Sequence, residues 1–271
     1  MIRRRPLLRA LLLGPATLAA VVFVAPTPAH AEEVCGAFDT VDVNGKEYVA
    51  QNNVWGASTA QCIDVNGTSF QVTRSEHNNA TNGAPASYPS IFEGCHWDNC
   101  TTNSELPLQV SEIADADTAW SVTASADGAW NAAYDLWFKT NPAPGEPDGA
   151  ELMIWLDSQG GVQPAGSIVA TDVPIAGATW NVWQAQMSWN YIAYQRTSPA
   201  SSADFDLNEF IVDATGRGAV QPSWYLATVE AGFEIWAAGT GLATNSFSFT
   251  GSAVGDPETT ERKELVGAST R

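Results

Sequence analysis

Three stretches of this chain set carboxylates and tryptophans on one face of a strand. Side chains alternate along a strand, so in Glu151-Leu152-Met153-Ile154-Trp155-Leu156-Asp157 the residues Leu152, Ile154 and Leu156 form an apolar face. Glu151, Met153, Trp155 and Asp157 point the other way. In Val229-Glu230-Ala231-Gly232-Phe233-Glu234-Ile235-Trp236, the same rule puts Glu230, Gly232, Glu234 and Trp236 together, opposite Val229, Ala231, Phe233 and Ile235. In Asn131 to Trp137, Asp135 stands two residues before Trp137. Acids interleaved with indoles suit a sugar-cleaving cleft. Pyranose rings stack on tryptophan, and cleavage of a glycosidic bond needs one carboxyl group as acid/base and a second as nucleophile or base. The plain alternative is a set of half-exposed strands with incidental acids, and three such strands in one chain weigh against it.

Other chemistries find little support. His77 and His96 are the histidines beyond the first 31 residues, with no ligand-spaced set around them. His96 reads as a loop residue with a satisfied hydrogen bond. A G-x-S-x-G elbow for a serine nucleophile is missing. No metal or cofactor is expected.

The elements that must position these acids are strands. Signals recur at Tyr48–Gly56, Thr68–Thr73, Leu108–Ile113, Ala119–Ala124, Ala129–Phe138, Glu151–Asp157, Ile168–Ala170, Thr179–Gln184, Tyr191–Arg196, Tyr225–Trp236 and Asn245–Thr250, punctuated by Gly, Pro, Asn and Asp. Many short strands with such turns predict an all-β sandwich or barrel. Asp206 to Gly216 departs from this: Leu207, Phe210, Ile211 and Ala214 follow helical spacing, Asp206 can cap and Gly216 can terminate. One helix packed on the sandwich is expected there. His77 to Cys100 is polar, rich in Gly and Pro, and reads as a long stapled loop. Trp180 and Trp183 read as core or rim, and Asp157 as a solvated strand residue.

Met1 to Ala31 has a basic start, an apolar run from Leu7 to Val24 and an Ala29-His30-Ala31 end, the pattern of a secretory signal peptide. A secreted, extracellular protein follows. The organisation expected is a signal peptide over 1–31, one catalytic domain over 32–250 and a disordered polar tail over 251–271. Removing the signal peptide takes four of the 12 basic residues and no acid, leaving 8 against 30, a net charge of −22. That surface repels nucleic acid and anionic membranes and suits a neutral substrate. Four cysteines in an exported chain suggest two disulfides with three pairings to choose from. Cys35–Cys62 with Cys95–Cys100 is favoured because it closes two local loops.

Glu151 to Trp155 followed by Gly161-Val162-Gln163-Pro164-Ala165-Gly166-Ser167 resembles the central motif of glycoside hydrolase family 12, secreted endo-β-1,4-glucanases or cellulases. Ala231 to Trp236 resembles that family's second catalytic strand. Asn52-Asn53-Val54-Trp55-Gly56, Asn82-Gly83-Ala84-Pro85, Tyr88-Pro89-Ser90 and Cys95-His96-Trp97-Asp98-Asn99-Cys100 fit as well. The resemblance spans about Cys35 to Thr250. It implies a β-jelly-roll sandwich of two curved antiparallel sheets, with a concave substrate cleft and retaining hydrolysis of a β-glucan. It implies Glu151 as nucleophile, Glu234 as acid/base and Asp135 as a hydrogen-bond partner of the nucleophile. Asn53, Trp55, Trp155 and Pro164 match positions that touch glucose units, and Met153 a methionine beneath the reacting bond. Such a pair implies a raised pKa for Glu234, a lowered one for Glu151 and an optimum on the acidic side of neutral. Ile235, Trp189-Asn190-Tyr191 and Asp157 depart from the family's usual pattern, which bears on the glucan preferred. A monomer is expected. The alternatives are a xyloglucan- or xylan-specific hydrolase of the same architecture, or a non-catalytic carbohydrate-binding sandwich, which would lack at least one of the two glutamates.

Overall fold

The computed structural model describes residues 31–124 and 127–255. Residues 1–30 of the expected signal peptide and residues 256–271 of the expected tail lie outside the described residues. Residues 251–253 are not tail: they complete the strand Ala243–Ala253.

Two sheets face each other, and the fold is a β-jelly roll. The smaller has six strands in the order Glu32–Val34, Gln61–Asn66, Ser69–Ser75, Ala243–Ala253, Ile113–Thr123 and Ser202–Asp206. The larger runs Ser167–Ile175, Ala178–Gln186, Asn190–Arg196, Ala150–Gln159, Ala129–Lys139, Tyr225–Gly232, Ser90–His96, Tyr48–Gln51 and Thr40–Val43. Between the sheets lies an apolar core that takes Leu152, Ile154 and Leu156 from one acid-bearing strand and Val229, Ala231, Phe233 and Ile235 from the other. Burial of each such aliphatic side chain contributes about 2 kcal/mol. The outer face of the large sheet has its own smaller apolar cluster, which includes Ala133, Met153, Trp155, Tyr191 and Trp236. Ala129–Lys139 is therefore buried along its whole length, with core on one side and cleft wall on the other.

Two details of register matter for the site. Pairings in the large sheet are antiparallel except one: Ala150–Gln159 runs parallel to Asn190–Arg196, which sets Tyr191 beside Glu151. The other is a bulge. Trp155 pairs with Ala133 on the cleft face, but Asp157 pairs with Ala132 in the core cluster, so Leu156 is an extra residue. The shift takes Asp157 off the face of Glu151, against the strict alternation expected from sequence. Its carboxylate accepts the Ser158 amide at 2.7 Å instead.

The stretch expected to be a stapled loop contains a strand, Ser90–His96, in the interior of the large sheet. Gly94 explains how it fits: its φ is +99° and a Cβ there would lie 2.2 Å from the Ala227 carbonyl oxygen. Both expected disulfides form, Cys35–Cys62 and Cys95–Cys100. The helix spans Asn208–Gly216 and buries Phe210, Ile211 and Ala214. Asp206 Oδ1 accepts the Asn208 amide and the Ala116 amide, each at 2.9 Å, so it ties the helix start to the small sheet. Trp180 is core, its ring edge-on to Phe210.

Candidate active site

A cleft of roughly 1160 Å³ crosses the outer face of the large sheet. It is lined by all eight residues predicted for the site: Asn53, Trp55, Asp135, Glu151, Met153, Trp155, Pro164 and Glu234. Among the described residues, no lysine or arginine lines it.

Glu151 stands near the start of its strand, flanked by Trp137 on the antiparallel side and Tyr191 on the parallel side. Its Oε2 accepts the indole N–H of Trp189 at 2.7 Å. Below it, the Met153 sulfur receives Tyr191 Oη at 3.4 Å and Trp155 Nε1 at 3.5 Å, so the floor is soft and well anchored. Asp135 lies across from both Met153 and Glu230. Its Oδ2 accepts the Trp137 indole N–H at 2.9 Å, while Oδ1 is buried with no partner. A hydrogen bond from Asp135 to Glu151, as the family resemblance implies, needs a proton on one of the two carboxyl groups, and Oδ1 is the Asp135 atom left for it. Trp189 is the neutral donor that the structure places on Glu151.

Glu234 is held by the chain's own irregularity. The strand Tyr225–Gly232 stops, and pairing resumes at Ile235–Ala237. Gly232 allows this: a Cβ there would lie 2.2 Å from the Pro89 carbonyl oxygen. The Phe233 amide then donates to Pro89 at 3.1 Å and the Ile235 amide to Ser87 at 3.0 Å. Asn131 completes the grip. Its Oδ1 accepts the Glu234 amide at 3.0 Å, its amide donates to the Glu234 carbonyl at 2.9 Å, and its Nδ2 donates to Oε2 of the carboxylate.

Sequence reasoning missed Asn131, Trp189 and a further pair. Glu230 is fully buried and gathers Gln51 Nε2 at 3.0 Å, Ser90 Oγ at 3.1 Å and His96 Nδ1 at 2.7 Å. His96 is a cleft residue, packed between Phe92 and Trp97 with centroids 5.6 and 4.3 Å away. The position of Glu230 on the face of Glu234 was the available signal. From His96 an aromatic wall continues through Trp97 and Trp137 to Trp189. Trp55 also lines the cleft and is half exposed, with 50 % of its surface open.

Two glutamates, a shielding aspartate and an indole wall share one open cleft, and comparison with known proteins is decisive. The sequence matches glycosyl hydrolase family 12 over residues 46–251. The chain belongs to that family. The fold is similar to endoglucanase Cel12A from Rhodothermus marinus, with a TM-score of 0.80 and 51 % identity over 82 % of this chain and 100 % of that one. Endoglucanase S of Pectobacterium parmentieri is 30 % identical over 73 % of this chain and 79 % of its own length. A family 12 xyloglucanase from Bacillus licheniformis is similar at 28 % identity and a TM-score of 0.73, covering 82 % of this chain and all of that one. The protein is accordingly a family 12 endoglucanase, a retaining glycoside hydrolase.

The electrostatics of this family 12 cleft correct one expectation. Burial raises Glu234 to about 7, offset in part by the Asn131 hydrogen bond. Glu151 is not lowered. Burial first, then the charge of Glu234, pushes it up to about 8, with the Trp189 hydrogen bond pulling the other way. Burial and the charges of Glu151, Glu230 and Glu234 hold Asp135 well above the usual carboxylate range. No lysine or arginine among the described lining residues offsets that burial, and the hydrogen bonds from Asn131 and Trp189 offset it only in part. Glu151 and Glu234 therefore titrate as a pair that keeps one proton between them near neutral pH. The kcat/KM–pH profile is expected to be bell-shaped. Its acid limb marks the fully protonated pair and its alkaline limb the doubly ionised pair. Both limbs should lie above the ordinary carboxylate range, moving the optimum to about neutral. An optimum at or below about pH 4.5, the range of an unperturbed glutamate, would contradict this arrangement.

Proposed function

We propose that this endoglucanase cuts internal β-1,4-glucosidic bonds of cellulose or a related β-glucan by double displacement, with Glu151 as nucleophile and Glu234 as acid/base. The observation that carries this reading is that the two glutamates share one cleft, interact electrostatically and are gripped differently: Glu234 by the amide of Asn131, Glu151 by an indole. In the first step a Glu151 oxygen bonds to C1 as the glycosidic C1–O bond breaks, and Glu234 gives its proton to the departing oxygen. In the second, water attacks C1, Glu234 takes the water's proton and Glu151 leaves with the bonding pair. Asp135 stands beside the nucleophile with its carboxyl pushed well above the usual range by burial, which disfavours a second charge there. Met153 forms the floor under the reacting sugar, and Asn53, Trp55, Trp155 and Pro164 contact flanking glucose units.

Unbranched β-glucan is preferred in this reading, because the endoglucanase from Rhodothermus marinus shares 51 % of its residues with this chain and the xyloglucanase 28 %. Reducing-sugar release from carboxymethylcellulose, mixed-linkage β-glucan, xyloglucan and xylan tests it. Faster hydrolysis of xyloglucan or xylan than of either unbranched glucan would replace this substrate assignment. Secretion is supported by the signal-peptide pattern of Met1 to Ala31 and by the two disulfides.

Trp55 offers its ring to a glucose unit distant from the acids. Trp55→Ala is expected to raise KM on cello-oligosaccharides by about fivefold to tenfold with kcat little changed, since such stacking is worth roughly 1 kcal/mol. A drop in Tm with KM unmoved would make Trp55 a packing residue.

A further inference from the structure

Trp189 lies in the short connection between the strands Ala178–Gln186 and Asn190–Arg196. Its indole N–H points at Glu151 Oε2, 2.7 Å away. The connection is tied on every side. The Met187 amide donates to the Trp189 carbonyl at 3.0 Å, and Gln186 Nε2 donates to the same carbonyl at 3.3 Å. The Asn190 amide donates to the Gly149 carbonyl at 3.1 Å and its side chain to the Ala219 carbonyl at 2.9 Å. The Trp189 ring meets Trp137 edge-on, centroids 5.2 Å apart. Trp137 in turn donates to Asp135, so two indoles that touch each other serve the two neighbouring carboxyl groups. An indole N–H is a donor only, and it does not titrate. It holds one carboxylate oxygen at any working pH and leaves the other free.

We infer that Trp189 is a positioning residue for the nucleophile: it fixes Oε2 of Glu151 by a hydrogen bond, so that Oε1 is the oxygen that meets C1 of the glucosyl unit. The inference rests on the assignment of Glu151 as nucleophile. As the Oε1–C1 bond forms and the glycosidic bond breaks, Oε2 stays bonded to the indole. When water later displaces Glu151, the charge returning to the carboxylate meets the same donor. With no lysine or arginine among the described lining residues, this N–H is the nucleophile's direct stabilising contact in its ionised form.

Trp189→Phe keeps an aromatic ring and removes the N–H. The substrate to use is a dinitrophenyl cellobioside, whose leaving group needs no proton from Glu234, so that the acid limb of kcat/KM reports Glu151. The loss of a charge-assisted hydrogen bond should move that limb up by roughly one pH unit and lower kcat about tenfold, with KM within about twofold. An unmoved limb with a raised KM would make Trp189 a sugar platform and overturn the inference. The wild-type protein supplies a second measurement should the variant not fold. Among its indole 15N–1H resonances, one should titrate in step with the acid limb and lose that pH dependence in Glu151→Gln. If none does, the contact is not the one inferred. Failure of the nucleophile assignment itself would appear elsewhere, as an unchanged rate in Glu151→Ala.

Discussion

Glu151→Ala and Glu234→Ala are expected to fail in different ways. Without Glu151 no glycosyl-enzyme forms, and kcat should fall on the order of 10⁴-fold or more on every substrate. Azide placed in the space left by the carboxylate should then attack C1 directly and give the α-glycosyl azide by one inversion. Without Glu234 the cost depends on the leaving group. Cellulose needs a proton on the departing oxygen, so its hydrolysis should drop by about 10²–10⁴-fold. A dinitrophenyl cellobioside does not, so the covalent intermediate should still form and accumulate. Azide needs no base to deprotonate it, should attack that intermediate and should give the β-glycosyl azide by two inversions. Product NMR on both variants reads the outcome. An α-azide from Glu234→Ala would reverse the roles, and α-anomer as the first product of the wild-type enzyme would rule out the double displacement.

Glu151 and Glu234, together with Glu93, a buried acid outside the cleft that accepts a hydrogen bond from Ser104, should make the fold less stable as pH rises. Glu93 and Glu234 are raised to about 7 and Glu151 to about 8, against an ordinary value of 4.5. Burial is the first cause in each. Between the unfolded and folded values the native state holds more protons than the unfolded chain, so stability declines with increasing pH across about 4.5 to 8. Below that window the contribution is fully present. His77, lowered by burial, works oppositely, losing stability as pH falls through 6.5 and below. It is one group against several. A tenfold difference in proton affinity between folded and unfolded chain corresponds to about 1.4 kcal/mol, and water in the open cleft softens it. The net loss from pH 5 to pH 8 is therefore on the order of a few kcal/mol. For a domain of this size that is roughly 5–10 °C in Tm. Glu151→Gln keeps the shape and removes the charge. It should raise Tm at pH 8 by several degrees and change it little at pH 5. A Tm that is flat or rising from pH 5 to 8 would show that burial does not penalise these charges, and a Glu151→Gln variant less stable at pH 8 would show it for the cleft.

The fold and much of the site were legible because strand chemistry is local. Alternation along Glu151–Leu156 and Val229–Trp236 separates core from cleft residue by residue, and the structure keeps that separation. Helical spacing from Leu207 to Ala214 needed no partner to be read. The family resemblance added which carboxylate does what. It also added Asn53 and Trp55 from one loop and Pro164 from another, which no periodicity connects.

Whatever depends on a neighbouring strand stayed out of reach. Ser90–His96 contains Ser, Glu, Gly, Cys and His, a poor strand by composition. It becomes one because the strands Tyr225–Gly232 and Tyr48–Gln51 supply its hydrogen bonds and Gly94 lets a backbone come close. That pairing is what brings His96 onto Glu230. The bulge at Leu156 exists only relative to Ala132 and Ala133, so alternation alone kept Asp157 in the cleft. Asn131 grips Glu234 from 103 residues away, and Trp189 reaches Glu151 across 38. The pKa of Glu151 belongs to the assembled cleft. Which face of each strand the candidate acids and indoles occupy could be read along the chain because it follows from local alternation. Which donors hold those carboxylates, and how far burial shifts them, emerged only on folding, because hydrogen bonds and desolvation depend on what distant segments bring alongside.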